Sequence, residues 1–132
     1  METFIVKSAE TDARLVFSQR VGEDYSVEFQ SQQLQVVHSV CGYTDPQGVA
    51  RLFQALAAYS KPWKGQLHYQ SLEQEFSISA SCSSLGTVSL AVAFSRIGAT
   101  QEWSATATIQ IEFGQLSVLA SNAKRFFGAV GR

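Results

Sequence analysis

Charged side chains are scarce in this chain, and they are missing altogether from residues 76–95. Only 16% of the residues are Asp, Glu, Lys or Arg, against about 25% in a typical soluble domain. The ten Lys and Arg are matched by eleven Asp and Glu, so the chain has no excess of positive charge to neutralise phosphates. The composition therefore disfavours a nucleic-acid partner.

Long apolar runs are also absent. No stretch of the sequence approaches the roughly 18 apolar residues that a membrane-spanning helix requires. Near the amino terminus, Lys7 interrupts the sequence before any apolar segment reaches the length of a signal peptide. We therefore expect a cytoplasmic protein that does not interact with a membrane.

Cysteine, histidine and glycine do not form a recognisable cofactor motif. The two cysteines, Cys41 and Cys82, are expected to be reduced in the cytoplasm. The sequence has no C-x-x-C pair or H-x-x-x-H pair that would fix the geometry of a metal site. It also has no glycine-rich phosphate-binding loop. We expect no cofactor and no bound metal.

The first third of the chain has the composition of β-strands. A length of 132 residues is sufficient for one domain with its own core, so residues 1–132 are predicted to form a single domain. Four segments are rich in β-favouring residues, namely 4–8, 14–18, 25–31 and 34–41. Their connections are too short for parallel crossovers, which favours an antiparallel meander.

The hydrophobic period then changes from that of a strand to that of a helix. Thr44 or Asp45 is suited to cap a helix start, and Pro46 fits the first helical position. The helix is predicted to end near Ser60, because the residue before Pro62 is disfavoured in helical conformation. The apolar stripe expected to face the core consists of Val49, Leu52, Phe53 and Leu56.

The second half of the chain repeats this plan after a segment, 61–72, that is expected to be a loop. Three strands follow, and a second helix is predicted over 115–127, with Gly128 as its C-terminal cap. The order ββββ-α-βββ-α predicts an α+β fold. We expect a largely antiparallel sheet of about seven strands, with the two helices packed on one face.

The outward faces of the last three strands contain mainly Ser, Thr and Ala. Solvated sheet faces normally carry Lys, Glu and Arg, which discourage sheets from associating. An uncharged face therefore favours a non-catalytic module that binds a protein partner or a second copy of itself. Large aromatic residues of the 61–72 segment could contribute anchors. The candidate interface residues are Trp63, Tyr69, Ser77, Ser79, Ser89, Thr106 and Thr108.

Two other functions are consistent with the sequence. Cys41 precedes the expected helix start, and a nearby His38 or His68 could serve as its base, which would give a small enzyme with a cysteine nucleophile. Alternatively, a pocket near Trp63 would suit a carrier of small ligands.

Several short motifs resemble those of a known group of sequences. They are Tyr43-Thr44-Asp45-Pro46 with Gly48, Leu52 and Phe53; Trp63 and Gly65; Ser71-Leu72-Glu73; Gly86 with Val88, Leu90 and Val92; Trp103; and Gly114-Gln115-Leu116 with Phe126-Phe127-Gly128. Over residues 14–128 the chain resembles an uncharacterised family of small bacterial α+β proteins. It is also similar in plan to immunity proteins of the WapI type, a resemblance that implies binding to a toxin.

Overall fold

The computed structural model describes residues 2–98 and 100–128. Eight strands and two α-helices follow one another along this part of the chain. In chain order they are β1 (Phe4–Lys7), β2 (Arg14–Val21), β3 (Asp24–Gln30), β4 (Gln35–Val40), α1 (Gly48–Ala57), β5 (Leu67–Gln70), β6 (Phe76–Cys82), β7 (Thr87–Arg96), β8 (Trp103–Glu112) and α2 (Leu116–Phe127).

The strands form two separate antiparallel sheets. The first, sheet A, has the order β1-β2-β3-β4, and the second, sheet B, has the order β5-β6-β7-β8. Within each sheet, every strand pairs with its neighbour in the sequence, as expected where connections are short. A bulge between Ser18 and Val21 interrupts the pairing of β2 with β3. The register of β7 with β8 runs without interruption from Arg96 and Trp103 to Thr87 and Glu112.

The α+β class, the antiparallel pairing and the two helices confirm the prediction from sequence. The strand beyond the seven expected is β5, which lies inside the 61–72 segment predicted to be a loop. This strand has only four residues, so its alternation is too short to stand out from the surrounding polar and aromatic residues. The prediction of one sheet is replaced by two: each half of the chain forms its own four-stranded sheet, and β5 is the fourth strand of the second.

The apolar faces of the two sheets and of both helices share one core. Phe17 of sheet A meets Phe76 of sheet B, with their ring centroids 5.9 Å apart. The sequence pattern predicts that the helices alone cover the apolar face of a single sheet. Two sheets that each have one apolar face can also cover each other, and here they do so in part. The helices complete the enclosure, where Phe53 of α1 and Phe127 of α2 both contact Phe4 of β1.

Helix α1 begins later than its capping residues predict. Its first residue is Gly48, and the preceding residue, Gln47, makes no side-chain cap hydrogen bond. Asp45 instead accepts a hydrogen bond from Arg51 at 2.6 Å, and Thr44 adopts a positive φ of 71°. The segment before the helix is therefore a turn, and Pro46 lies outside the helix. The predicted stripe of four apolar residues is buried as expected.

Helix α2 follows the prediction closely. A short 3-10 turn over Phe113–Gln115 leads into it, and Gly128 ends it with a φ of 94°. Arg20 of β2 donates a hydrogen bond of 2.8 Å to the carbonyl of Phe126, which satisfies one of the free carbonyls at the helix end. Within residues 2–98 and 100–128, neither helix has the length and apolar character needed to cross a membrane.

Candidate functional site

Ten outward-facing side chains of β6, β7 and β8, all of them Ser, Thr or Ala, form a surface that we call the hydroxyl face. At one end it is bordered by the outward-facing Thr87, Gln110 and Glu112. The face consists of Ser77, Ser79, Ser81, Ser89, Ala91, Ala93, Ser95, Ser104, Thr106 and Thr108.

The strand register arranges these side chains in rows across the sheet. Ala91 pairs with Ser79 on one side and with Thr108 on the other. In the next row, Ala93 lies between Ser77 and Thr106. Neighbouring strands in a sheet are about 4.8 Å apart, so each row presents closely spaced hydroxyl and methyl groups. The row of Ser79 continues onto β5, where His68 Nδ1 lies 3.0 Å from Ser79 Oγ.

The hydroxyl face is open to solvent. Ala91, Thr106 and Thr108 are exposed, while Ser77 and Ser89 are half-buried. Every side chain of the face is at least partly accessible, so no element in the described part of the chain closes over it. A partner could reach this surface without any rearrangement of the fold.

Sheet A has a different outer face. Its outward-pointing side chains include Lys7, Arg14 and Glu28. Charges of this kind raise the cost of removing water from a sheet surface. The two sheets of this protein therefore differ in how readily their outer faces can be desolvated, and the hydroxyl face is the one with the lower cost.

The structure divides the seven residues predicted as interface into two groups. Ser77, Ser79, Ser89, Thr106 and Thr108 lie together on the hydroxyl face. The same alternation also places Ala91 and Ala93 there, between the rows of hydroxyls. The two aromatic residues of the prediction belong to the core instead.

Tyr69 and Trp63 are 7% and 8% exposed. The hydroxyl of Tyr69 lies 3.0 Å from that of Tyr25 in the interior. Burial raises the pKa of both tyrosines above the ordinary value of 10.0. Tyr69 points inward because β5 is a strand and not a loop, so its side chain must alternate with the exposed His68 and Gln70.

A groove runs beside Trp63, with a volume of about 580 Å³. The indole stacks on Tyr59 at a centroid distance of 4.6 Å and contacts Phe113 on another side. Most other residues that line the groove are exposed, namely Lys61, Pro62, Lys64, Gly65 and Ser84. A ligand there would rest on the surface, which differs from the enclosed apolar pocket expected of a carrier.

A larger cleft, of about 730 Å³, lies between the ends of the two sheets. His38 and Cys41 both line it, although residues three apart in a continuous strand would point to opposite faces. The strand β4 ends at Val40, so Cys41 has left the alternation and can turn toward the same side. The ring of His38 also contacts that of Trp103, with centroids 5.8 Å apart. Sequence reasoning could not find this cleft, because its walls come from distant parts of the chain.

Two further features of the cleft bear on the cysteine hypothesis. The sequence predicted that Cys41 lies just before the start of helix α1. The helix begins seven residues after Cys41, so the thiol does not lie at the helix N-terminus. The second candidate base, His68, lies on β5 beside Ser79 of the hydroxyl face and does not line the cleft. Only His38 remains as a base for Cys41 among the two histidines.

The tight turn between β5 and β6 forms one wall of this cleft. Ser71 is buried at its start, where its hydroxyl donates to Glu75 and accepts from the amide of Phe76. Gln74 takes up a positive φ of 64°, and its carbonyl accepts a hydrogen bond from the Ser95 hydroxyl. The turn is thus held in place from both sides. In the described residues, no three His, Cys, Asp or Glu side chains are grouped in a way that could hold a metal ion.

Comparison with known proteins places the chain in a family. No curated protein matches it. A family model described as a family of unknown function, DUF6228, matches residues 6–130, nearly the whole chain. The protein therefore belongs to the DUF6228 family of unknown function.

Proposed function

We propose that this protein is a non-catalytic binding module that docks another protein onto its hydroxyl face. The observation that carries the proposal is the combination of ten adjacent Ser, Thr and Ala side chains with the absence of any charge or covering element over them, within the described residues. Small uncharged side chains cost less to desolvate than charged ones, and they lose little rotamer freedom when a partner orders them.

The shape of the surface supports a protein partner over a small molecule. Small ligands bind in concave pockets that bury most of their area. The hydroxyl face is instead a sheet surface in which Ala91 and Ala93 lie between rows of hydroxyls. Such a surface offers area and hydrogen-bonding groups to an equally broad partner.

A specific form of the proposal is an immunity protein of a bacterial cytoplasm, in which the partner is a toxin. The resemblance in plan to immunity proteins of the WapI type supports this form. A gene for a toxin next to the gene for this protein would identify the partner to be tested first.

Site-specific photocrosslinking in the native cell tests the proposal and identifies the partner in the same experiment. A photoreactive amino acid at Ala91 is expected to form a discrete adduct with one other protein, identified by mass spectrometry. The matched control is the same amino acid at Leu85, which is 92% exposed in a turn outside the hydroxyl face. Equal adducts from both positions, or none from Ala91, would contradict the proposal.

The partner found in this way can then be titrated against purified variants. S89K and A91K place a charge in the centre of the face and are expected to weaken binding at least tenfold, because the lysine must be desolvated. L85K is the control and should bind as the wild type does. Unchanged melting temperatures would show that the charges act on binding and not on folding.

A second candidate function is an enzyme that uses Cys41, and the shared cleft of Cys41 and His38 favours it. An activated thiolate would displace iodide from iodoacetamide near neutral pH much faster than the thiol of the unfolded chain. Cys82 offers an internal comparison, since C41S leaves it as the remaining cysteine. Labelling of native Cys41 no faster than that of the unfolded chain would exclude this function.

A further inference from the structure

The two sheets formed by the described residues have four edges, which are protected unequally. Strands β1 and β5 are edges of only four residues each, and they pack against α2 and α1, respectively. Strands β4 and β8 are the other two edges, with six and ten residues. A bare strand edge can pair with another chain, and proteins usually block it with charges, proline, a bulge or a covering element.

Among residues 2–98 and 100–128, none of these protections is found along most of strand β8. Residues 103–111 include no charged residue and no proline. The pairing with β7 continues through the whole strand without a bulge. At one end, the amide of Ala9 donates a hydrogen bond of 2.8 Å to the carbonyl of Gln110. This contact gives the outward-pointing carbonyl of Gln110 a hydrogen-bond partner within the same chain.

The Ala9 contact also reveals which backbone groups point outward. In a strand, the amide and the carbonyl of one residue point to the same side, and those of the residue two positions along point to that side as well. Since the carbonyl of Gln110 points away from β7, those of Ser104, Thr106 and Thr108 do so as well. These three residues therefore present a row of backbone donors and acceptors along the free edge.

We propose that a second copy of this chain pairs with β8, so that two β8 strands run antiparallel about a two-fold axis at Thr106. In this register Thr106 faces Thr106 of the other copy, and Ser104 faces Thr108. Each such pair would exchange two backbone hydrogen bonds. This inference concerns the edge of sheet B, and it is independent of the docking of a different protein onto the hydroxyl face.

The side chains are compatible with this register. On the outer surface, hydroxyl residues face hydroxyl residues, which is a favourable cross-strand pairing. On the inner surface, Ala105 faces Ala107 of the other copy, so no bulky side chains meet at the centre of the pairing, and Trp103 and Ile109 lie at its two ends. Glu102 lies before the strand and outside the segment 104–108 that would pair, and that segment contains no charged residue, so no like charges lie opposite each other. A net charge of only −1 adds little general repulsion between copies.

The other bare edge, β4, is less suited to this pairing. It is shorter, and the neighbouring outward residue on β3 is the charged Glu28, which pairs with Val37. Pairing confined to residues 104–108 of one strand offers a small interface, and interfaces below about 1,200 Å² are typically transient. The dimer is therefore expected to dissociate on dilution.

Sedimentation velocity over a range of concentrations, on the full chain, tests the proposal. The wild type is expected to shift from monomer to dimer as its concentration rises. T106K should weaken dimerisation at least tenfold, because two lysines would face each other at the axis. T106E should do the same, and an equimolar mixture of T106K and T106E should restore the dimer. A wild type that stays monomeric at millimolar concentration, or a mixture that does not recover, would overturn the proposal.

Proline variants separate the two edges. T106P removes an amide that points outward, so it should abolish the dimer while the circular dichroism spectrum stays unchanged. V37P is the matched control, because the amide of Val37 points outward from β4. The amide of Ser31 donates a hydrogen bond to the carbonyl of Leu34, so the backbone amides and carbonyls of even-numbered residues in β4 point toward β3. Those of odd-numbered residues, such as Val37, therefore point outward. V37P should leave the dimer intact. If the dimer were lost in V37P but kept in T106P and T106K, the pairing would belong to β4 and the proposal would be refuted.

Discussion

The hydroxyls of Tyr25 and Tyr69 lie 3.0 Å apart and connect sheet A to sheet B through the interior. Tyr25 is on β3 and Tyr69 on β5, so the hydrogen bond joins the two halves of the chain. Both side chains are almost fully buried. Each hydroxyl thus has a partner where water does not reach it, which avoids the cost of an unsatisfied polar group.

Replacing Tyr69 with Phe should destabilise the protein by about 1–2 kcal/mol, because it leaves the Tyr25 hydroxyl buried without this partner. The double variant Y25F/Y69F should lose less stability than the two single variants lose together, since neither hydroxyl then remains unsatisfied. Urea unfolding measures these differences. Y59F is the control, because Tyr59 is 38% exposed and its hydroxyl is outside this pair. Additive losses in the double variant would contradict a direct coupling.

The same pair predicts that stability falls in alkaline solution. Burial raises the pKa of Tyr25 and Tyr69 in the folded protein above the value of 10.0 that applies to the unfolded chain. Above about pH 10 the unfolded state therefore binds fewer protons than the folded state, and the free energy of unfolding falls as the pH rises. Below that pH this contribution is fully present.

Urea unfolding at a series of pH values around and above 10 measures this fall, and tyrosinate absorption follows the ionisation. Y25F removes one buried phenol and should show a shallower decline than the wild type. An identical slope in the two proteins would show that these phenols do not govern alkaline unfolding.

Gly48 should not tolerate a side chain, although it lies in a helix. A Cβ atom there would collide with the ring of Tyr69 and approach the carboxylate of Asp45 at 2.7 Å. Alanine is favoured over glycine in a helix by about 1 kcal/mol, but the collision involves a buried ring that cannot move freely. G48A is expected to lower the melting temperature. G114A is the control, since nothing lies within 4 Å of its Cβ position, and a G48A variant as stable as G114A would refute the packing argument.

Ser71 should be the most sensitive serine of the chain. Its hydroxyl bonds both Glu75 and the amide of Phe76, and it is 4% exposed. S71A leaves the buried amide of Phe76 without the hydroxyl as acceptor. The free energy of unfolding, measured by chemical denaturation, is expected to fall by about 1–3 kcal/mol. S104A on the exposed surface is the comparison and should stay within about 0.5 kcal/mol of the wild type. Equal effects would show that the turn does not depend on Ser71.

The residue pattern alone predicted the longer elements well. The alternation of Ile78, Ala80 and Val92 with small polar residues identified β6 and β7, because a strand of seven or more residues repeats its period several times. The helical spacing in α1 and α2 was equally clear. The N-terminal cap of α1 was not, because Asp45 accepts a hydrogen bond from Arg51 instead of capping the helix amides.

The candidate site was only partly predictable for a similar reason. The five hydroxyl residues were placed correctly on one face, since their position follows from alternation within each strand. Tyr69 was assigned to the surface because β5 was too short to recognise, and its burial depends on Tyr25, far away in the sequence. The meeting of His38 and Cys41 in one cleft depends on where β4 ends and on how the sheets face each other.

The sequence by itself determined the α+β class, the helices and the face of Ser, Thr and Ala on the last three strands, because these features arise from the periodic spacing of residues close along the chain. Only the tertiary structure decided that eight strands divide into two sheets, that Trp63 and Tyr69 belong to the core, and that β4 and β8 are left as bare edges. Those features depend on contacts between distant residues, and many pairings of the same strands would satisfy the same local pattern.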